Sequence, residues 1–123
     1  MAFTTQETLL SAVVATTTSL GIDVSERSKL SLQFLAASVS SGNGVFTVDV
    51  SNDNGTTWTA YNRLTTNATN TNTQGDTRVA SVTLSSNTSA MAFFPEGDHF
   101  GMIRVTVTRT TDGAYSAYLK SIE

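Results

Sequence analysis

Strict alternation of apolar and polar residues is the feature that most restricts this chain. Leu30, Leu32, Phe34 and Ala36 alternate with Lys29, Ser31 and Gln33, and Phe46, Val48 and Val50 alternate with Thr47 and Asp49. Ile103, Val105 and Val107 alternate with Arg104, Thr106 and Thr108, and Tyr115, Ala117 and Leu119 with Ser116, Tyr118 and Lys120. A period of two puts each apolar set on one side of an extended strand, so each run predicts a strand with one buried face. Weaker alternation covers Leu20, Ile22 and Val24 and the stretch Arg78 to Leu84, and Met91 and Phe93 open a short strand ending at Pro95.

Turn chemistry falls between the runs. Gly42-Asn43-Gly44 separates the second run from the first, and Pro95-Glu96-Gly97-Asp98 forms another connection. Asn54-Gly55 and Asp112-Gly113 read as two-residue hairpin turns, which need positive φ at both central positions. About eight strands with frequent turns and no long helical pattern predict an all-β antiparallel sandwich or jelly roll. At 123 residues this is one domain. Residues 1–18 form an N-terminal arm or first strand, and 19–123 the sandwich. Within the arm, Thr4 and Glu7 have the spacing of a helix capping box before Leu9, Leu10, Val13 and Val14. The same run also reads as a strand, and both readings stay open at this stage.

Charge excludes several roles. The seven Lys and Arg stand singly between Arg27 and Lys120 against ten Asp and Glu, for a net charge of -3. Nucleic-acid binders concentrate basic residues, so nucleic acid is not the expected partner. No run is long and apolar enough to cross a bilayer, and the first residues lack the positive start of a secretory signal. A membrane partner is therefore not expected either, and the chain is expected to be made in a cytoplasm or to be a mature form with its leader removed. With no Cys and one His, neither thiol chemistry nor the usual zinc sites are available. Asp49, Asn52, Asp53 and Asn54 carry calcium-compatible oxygens without EF-hand spacing, so no metal or other cofactor is expected.

Two segments are singled out. Ser51-Asn-Asp53-Asn-Gly55-Thr-Thr57-Trp58 fits S-x-D-x-G-x-T-W and resembles the Asp box of sialidases and related β-propellers. Its residues build a hairpin: Asp53 accepts backbone N–H bonds, Gly55 supplies positive φ, and Trp58 packs back over the turn. A propeller needs several four-stranded blades, whereas this chain has strands for about two and a single box with no repeat of it. The motif reads as a structural brace, and no catalytic residue is assigned. The second segment, Leu64 to Asp76, has almost nothing to bury. Its Asn67, Thr69, Asn70, Thr71, Asn72 and Thr73 are the candidate interface residues, because amides and hydroxyls can pair with a neighbouring chain at low desolvation cost.

Around the box, Gly44 to Leu64, Thr77 to Ser86 and Met102 to Gly113 together resemble small structural proteins of tailed bacteriophages, including capsid decoration or cement proteins. The likeness spans roughly residues 8 to 123. It implies a non-enzymatic virion protein on the capsid surface, often a homotrimer, that binds the major capsid protein and stabilises the assembled shell. A tail, baseplate or head-fibre accessory is the neighbouring reading. A carbohydrate-binding module is the other class, with Trp58, Tyr61, Tyr115 and Tyr118 as candidate aromatics. Trp58 and Tyr61 differ in parity and face opposite ways, which leaves Tyr61 and Tyr118 as the expected exposed pair.

Overall fold

In the computed structural model, residues 4–67, 74–95 and 98–122 are described. Among them are twelve strands and no helix: β1 (Thr4–Val13), β2 (Thr17–Thr18), β3 (Ile22–Asp23), β4 (Ser28–Ala37), β5 (Asn43–Ser51), β6 (Thr59–Tyr61), β7 (Leu64–Asn67), β8 (Gln74–Val79), β9 (Ser81–Leu84), β10 (Ser89–Phe93), β11 (Met102–Thr110) and β12 (Ala114–Ile122). The fold is a β-sandwich of two antiparallel sheets. The first sheet has the order β1-β12-β4-β10-β7-β8. The second runs β2-β11-β5-β6, with β3 also on β11 and β9 also on β5.

The four strongly alternating runs are the central strands β4, β5, β11 and β12, and their apolar faces meet. Leu32, Phe34, Phe46, Ile103, Val105, Val107, Tyr115, Ala117 and Leu119 are fully buried. Burying each of these side chains larger than alanine is worth roughly 1.5–3 kcal/mol, which makes this interface the main source of stability. Two aromatic clusters mark its ends. Phe46 stacks on Phe34 at 4.4 Å and meets the edge of Tyr115 at 6.0 Å. Tyr61, Phe94 and Phe100 form the other cluster, with centroids 5.1–5.6 Å apart.

Several expectations change. The strand count is twelve, not eight, partly because Arg78 to Leu84 breaks at Ala80: β8 pairs with β7 in one sheet and β9 with β5 in the other. The N-terminal run is a strand and not a capped helix. β1 lies along β12 from Thr4 opposite Ile122 to Val13 opposite Tyr115, where cross-strand bonds satisfy its backbone. In the weak run from Leu20 only Ile22–Asp23 is strand, and Leu20 is 86% exposed.

Neither expected two-residue hairpin forms. The connection at Asn54-Gly55 runs from 52 to 58 between β5 and β6, although both residues do have positive φ, 58° and 83°. Asp112-Gly113 joins β11 to β12, which belong to different sheets, so it is an arch over the end of the sandwich. The β4–β5 connection crosses the same way, and the two arches are laced together. The Asp112 carboxylate accepts N–H bonds from Ser40 (3.2 Å), Ser41 (3.1 Å) and Gly42 (3.0 Å). A side chain on Gly42 would collide with the Thr110 carbonyl, so glycine is required for this approach.

Candidate functional site

The Asp-box residues are brought together by the β5–β6 connection. Ser51, 3% exposed at the end of β5, donates from Oγ to Asp53 Oδ1 (2.7 Å) and accepts the N–H groups of Gly55 (2.9 Å) and Asp53 (3.3 Å). Asp53 Oδ1 also accepts the Thr57 N–H at 2.8 Å. That bond, followed by the Ser51 hydroxyl, holds the Asp53 carboxyl below the usual carboxylate range. Trp58 lies half-buried over the outer face of the second sheet, with the Arg104 guanidinium 4.4 Å from its ring and Arg104 Nε donating to Asp49 Oδ2 at 3.1 Å. Asp49 and Asp53 are thus both held by the chain itself. Among the described residues, no group of three His, Cys, Asp or Glu is arranged to hold a metal ion.

The expected exposed aromatic pair needs correction. Tyr61 is buried, because β6 places it opposite the inward-facing Val48. Its hydroxyl donates to Asp98 Oδ2 at 2.7 Å, and Arg63 Nε donates to the same oxygen at 2.8 Å. Burial, then the Asp98 hydrogen bond, pushes the Tyr61 phenol well above its ordinary range. Asp98 moves the opposite way, lowered first by Arg63 and then by Tyr61. Tyr115 is fully buried in the other aromatic cluster. Tyr118 does face outward and is half-exposed.

Beside Asp98 lies an open groove of about 710 Å³, bounded among others by Lys29, Ser31, Phe93, Pro95 and His99. His99 Nε2 sits 2.8 Å from the Ser25 carbonyl oxygen, which only accepts, so this nitrogen carries the proton. Lys29 has φ of 53° and stands at a bulge, where Lys29 and Leu30 together face Ser121 between the pairs Lys120–Ser31 and Ile122–Ser28. A left-handed conformation costs a non-glycine residue about 1 kcal/mol or more. Leu30 is buried in phase with Leu32 and Phe34, Lys29 stays exposed at the groove, and the bulge shifts only the pairing beyond them.

The groove opens onto the solvent face of the first sheet, where the register aligns residues in rows. One row runs Gln6, Lys120, Ser31, Phe93, Thr65, Arg78 across β1, β12, β4, β10, β7 and β8, with Thr65 buried and its hydroxyl donating to the Phe93 carbonyl. The next runs Thr8, Tyr118, Gln33, Met91. Phe93 and Tyr118 therefore share one face, both half-exposed, with hydroxyl and amide groups between them. No position in these two rows is a carboxylate. The aromatic that sequence parity missed is Phe93. Its outward direction follows from alternation with buried Ala92, but its place beside Ser31 and Lys120 depends on long-range pairing.

Of the candidate interface residues, Asn67 ends β7 opposite Gln74 of β8, so that part of the polar segment is the start of a hairpin. Thr69, Asn70, Thr71, Asn72 and Thr73 lie outside the described residues. No protein-family model, curated protein or solved structure matches the chain.

Proposed function

We propose that this chain is a non-enzymatic structural protein of a bacteriophage virion, a capsid decoration protein that binds the major capsid protein and stabilises the assembled shell. The observation that carries the reading is where the acidic groups are used. Asp53 braces the β5–β6 hairpin, Asp98 ties Tyr61 to Arg63, and Asp112 laces the two arches. Carboxylates held this way stiffen a scaffold and are not poised to take up or deliver a proton. A protein that works by covering joints between shell subunits needs that rigidity and a large polar surface. The likeness of residues 8 to 123 to phage structural proteins points the same way. In this reading the polar segment around Asn67 to Thr73 and the edge strand β1 meet the shell or sister subunits, in a homotrimer seated on a symmetry axis.

Light scattering across a concentration series tests the oligomer, and cosedimentation with undecorated capsids tests the binding. A stable trimer that saturates the capsid and raises its resistance to heat is the expected result. Deleting residues 68–73 is expected to weaken attachment and leave the unfolding transition of the free domain in place. A monomer at every concentration with no capsid binding refutes the proposal. Saturable binding to tails or baseplates instead moves the protein to another part of the virion.

A further inference from the structure

We infer that the solvent face of the first sheet, together with its groove, is a binding site for an anionic polysaccharide, a chain of carboxylate-bearing sugars. The inference does not depend on the virion reading, since the two share only the β1 edge of this face. It rests on three observations.

The first is charge. The chain carries more acids than bases, yet Lys29 and Lys120 stand close to Ser31 at the same end of this face, and neither forms an ion pair among the described residues. Arg78 closes the same row at its far edge, four strands from Lys120. Arg104, on the opposite sheet, is paired with Asp49. Asp98, which lines the groove, is already held by Arg63. Two lysines without an ion pair, on a face whose two rows carry no carboxylate, favour an anionic partner even in an acidic protein.

The second is the pair of aromatic rings. Phe93 and Tyr118 lie two strands apart and one row out of step, so their Cα atoms are separated by about 12 Å from the strand spacing and rise. That is the scale of a disaccharide, and flat rings at such a spacing can each take the apolar face of a sugar. The third is what lies between them. Ser31 and Gln33 present a hydroxyl and an amide, which match sugar hydroxyls, and the groove beyond Phe93 continues the track toward Lys29 and His99. A protein partner of similar charge would want a more apolar centre than this face offers.

The test uses the purified full chain and two probes, hexagalacturonate and the same oligomer with its carboxylates methyl-esterified, titrated by calorimetry at low salt. The acidic oligomer is expected to bind and the ester to bind at least about tenfold more weakly. Tyr118→Ala is expected to weaken binding of the acidic oligomer about threefold to tenfold and Lys120→Gln about twofold to fivefold. Both positions are on the surface, so the thermal transition should not move. Tyr118→Phe, which keeps the ring, should restore most of the affinity. Failure of both oligomers to bind overturns the inference, as does equal binding of the two. Tight binding of polyglutamate that ignores Tyr118→Ala overturns it in favour of an acidic protein partner.

Discussion

Removing one hydroxyl, in Ser51→Ala, tests whether the Asp-box residues brace the domain. Ser51 Oγ is the hub of the β5–β6 connection: it accepts from the N–H of Gly55 and of Asp53 and donates to the Asp53 carboxylate. In the alanine variant the exposed Asp53 rehydrates at little cost. The Gly55 N–H is less able to do so, because Gly55 is half-buried beneath the Trp58 ring. An unsatisfied buried donor costs about 1–3 kcal/mol, and the second lost bond adds roughly 0.5 kcal/mol, so the variant should lose about 2 kcal/mol. For a domain of this length that lowers Tm by about 6–10 °C. Thr57→Val is the matched control. Its backbone N–H still reaches Asp53 and it gives up only the bond of an exposed hydroxyl to that carboxylate, so it should change stability by less than about 0.5 kcal/mol. Urea unfolding followed by circular dichroism gives the global value, and Trp58 fluorescence reports the hairpin directly. If Ser51→Ala falls within the error of Thr57→Val, the hydroxyl is not the hub and the reasoning fails.

Phe46→Ala removes a ring packed on both Phe34 and Tyr115 and should cost about 3–5 kcal/mol, a large part of the stability of a small domain, measured by the urea midpoint. Gly113→Ala combines a φ of 105° with a collision between the new Cβ and the buried Tyr115 ring, and should lose at least about 2 kcal/mol in the same assay. Asp23, Asp53, Asp98 and Asp112 all have pKa values lowered from 3.8, so the unfolded chain takes up protons first as pH falls. Their contribution is complete above about pH 5 and drains away below about pH 4; Tm against pH should show that fall, less steep in Asp112→Asn. On the alkaline side the raised Tyr61 phenol stays neutral in the fold, so its contribution is present below about pH 10 and lost above it, and Tyr61→Phe should flatten that limb.

Much of the scaffold was legible from local pattern. Alternation in the runs around Leu32, Val48, Val105 and Ala117 named the four central strands and their buried faces, because side-chain direction along a strand depends only on parity. The positive φ at Asn54 and Gly55 followed equally from residue type, since asparagine and glycine tolerate it best. Where local pattern was ambiguous, pairing decided. Residues 4–13 satisfy a helical and an extended spacing alike, and it is β12 alongside that makes the strand. Parity also separated Trp58 from Tyr61 without saying which turns inward; the pairing of Tyr61 with Val48 settles that.

Sequence by itself therefore determined an all-β sandwich, the residues at its centre and a polar, sparsely charged exterior. The tertiary structure alone decided that Asp112-Gly113 is an arch between sheets, that Asp112 locks the neighbouring arch, and that Lys120, Ser31, Phe93 and Arg78 stand in one row. The physical reason is the range of the interactions. Strand formation and facing follow from near neighbours, whereas a row across a sheet is fixed by the register of strands far apart in the chain, which is set by the joint packing of the whole core.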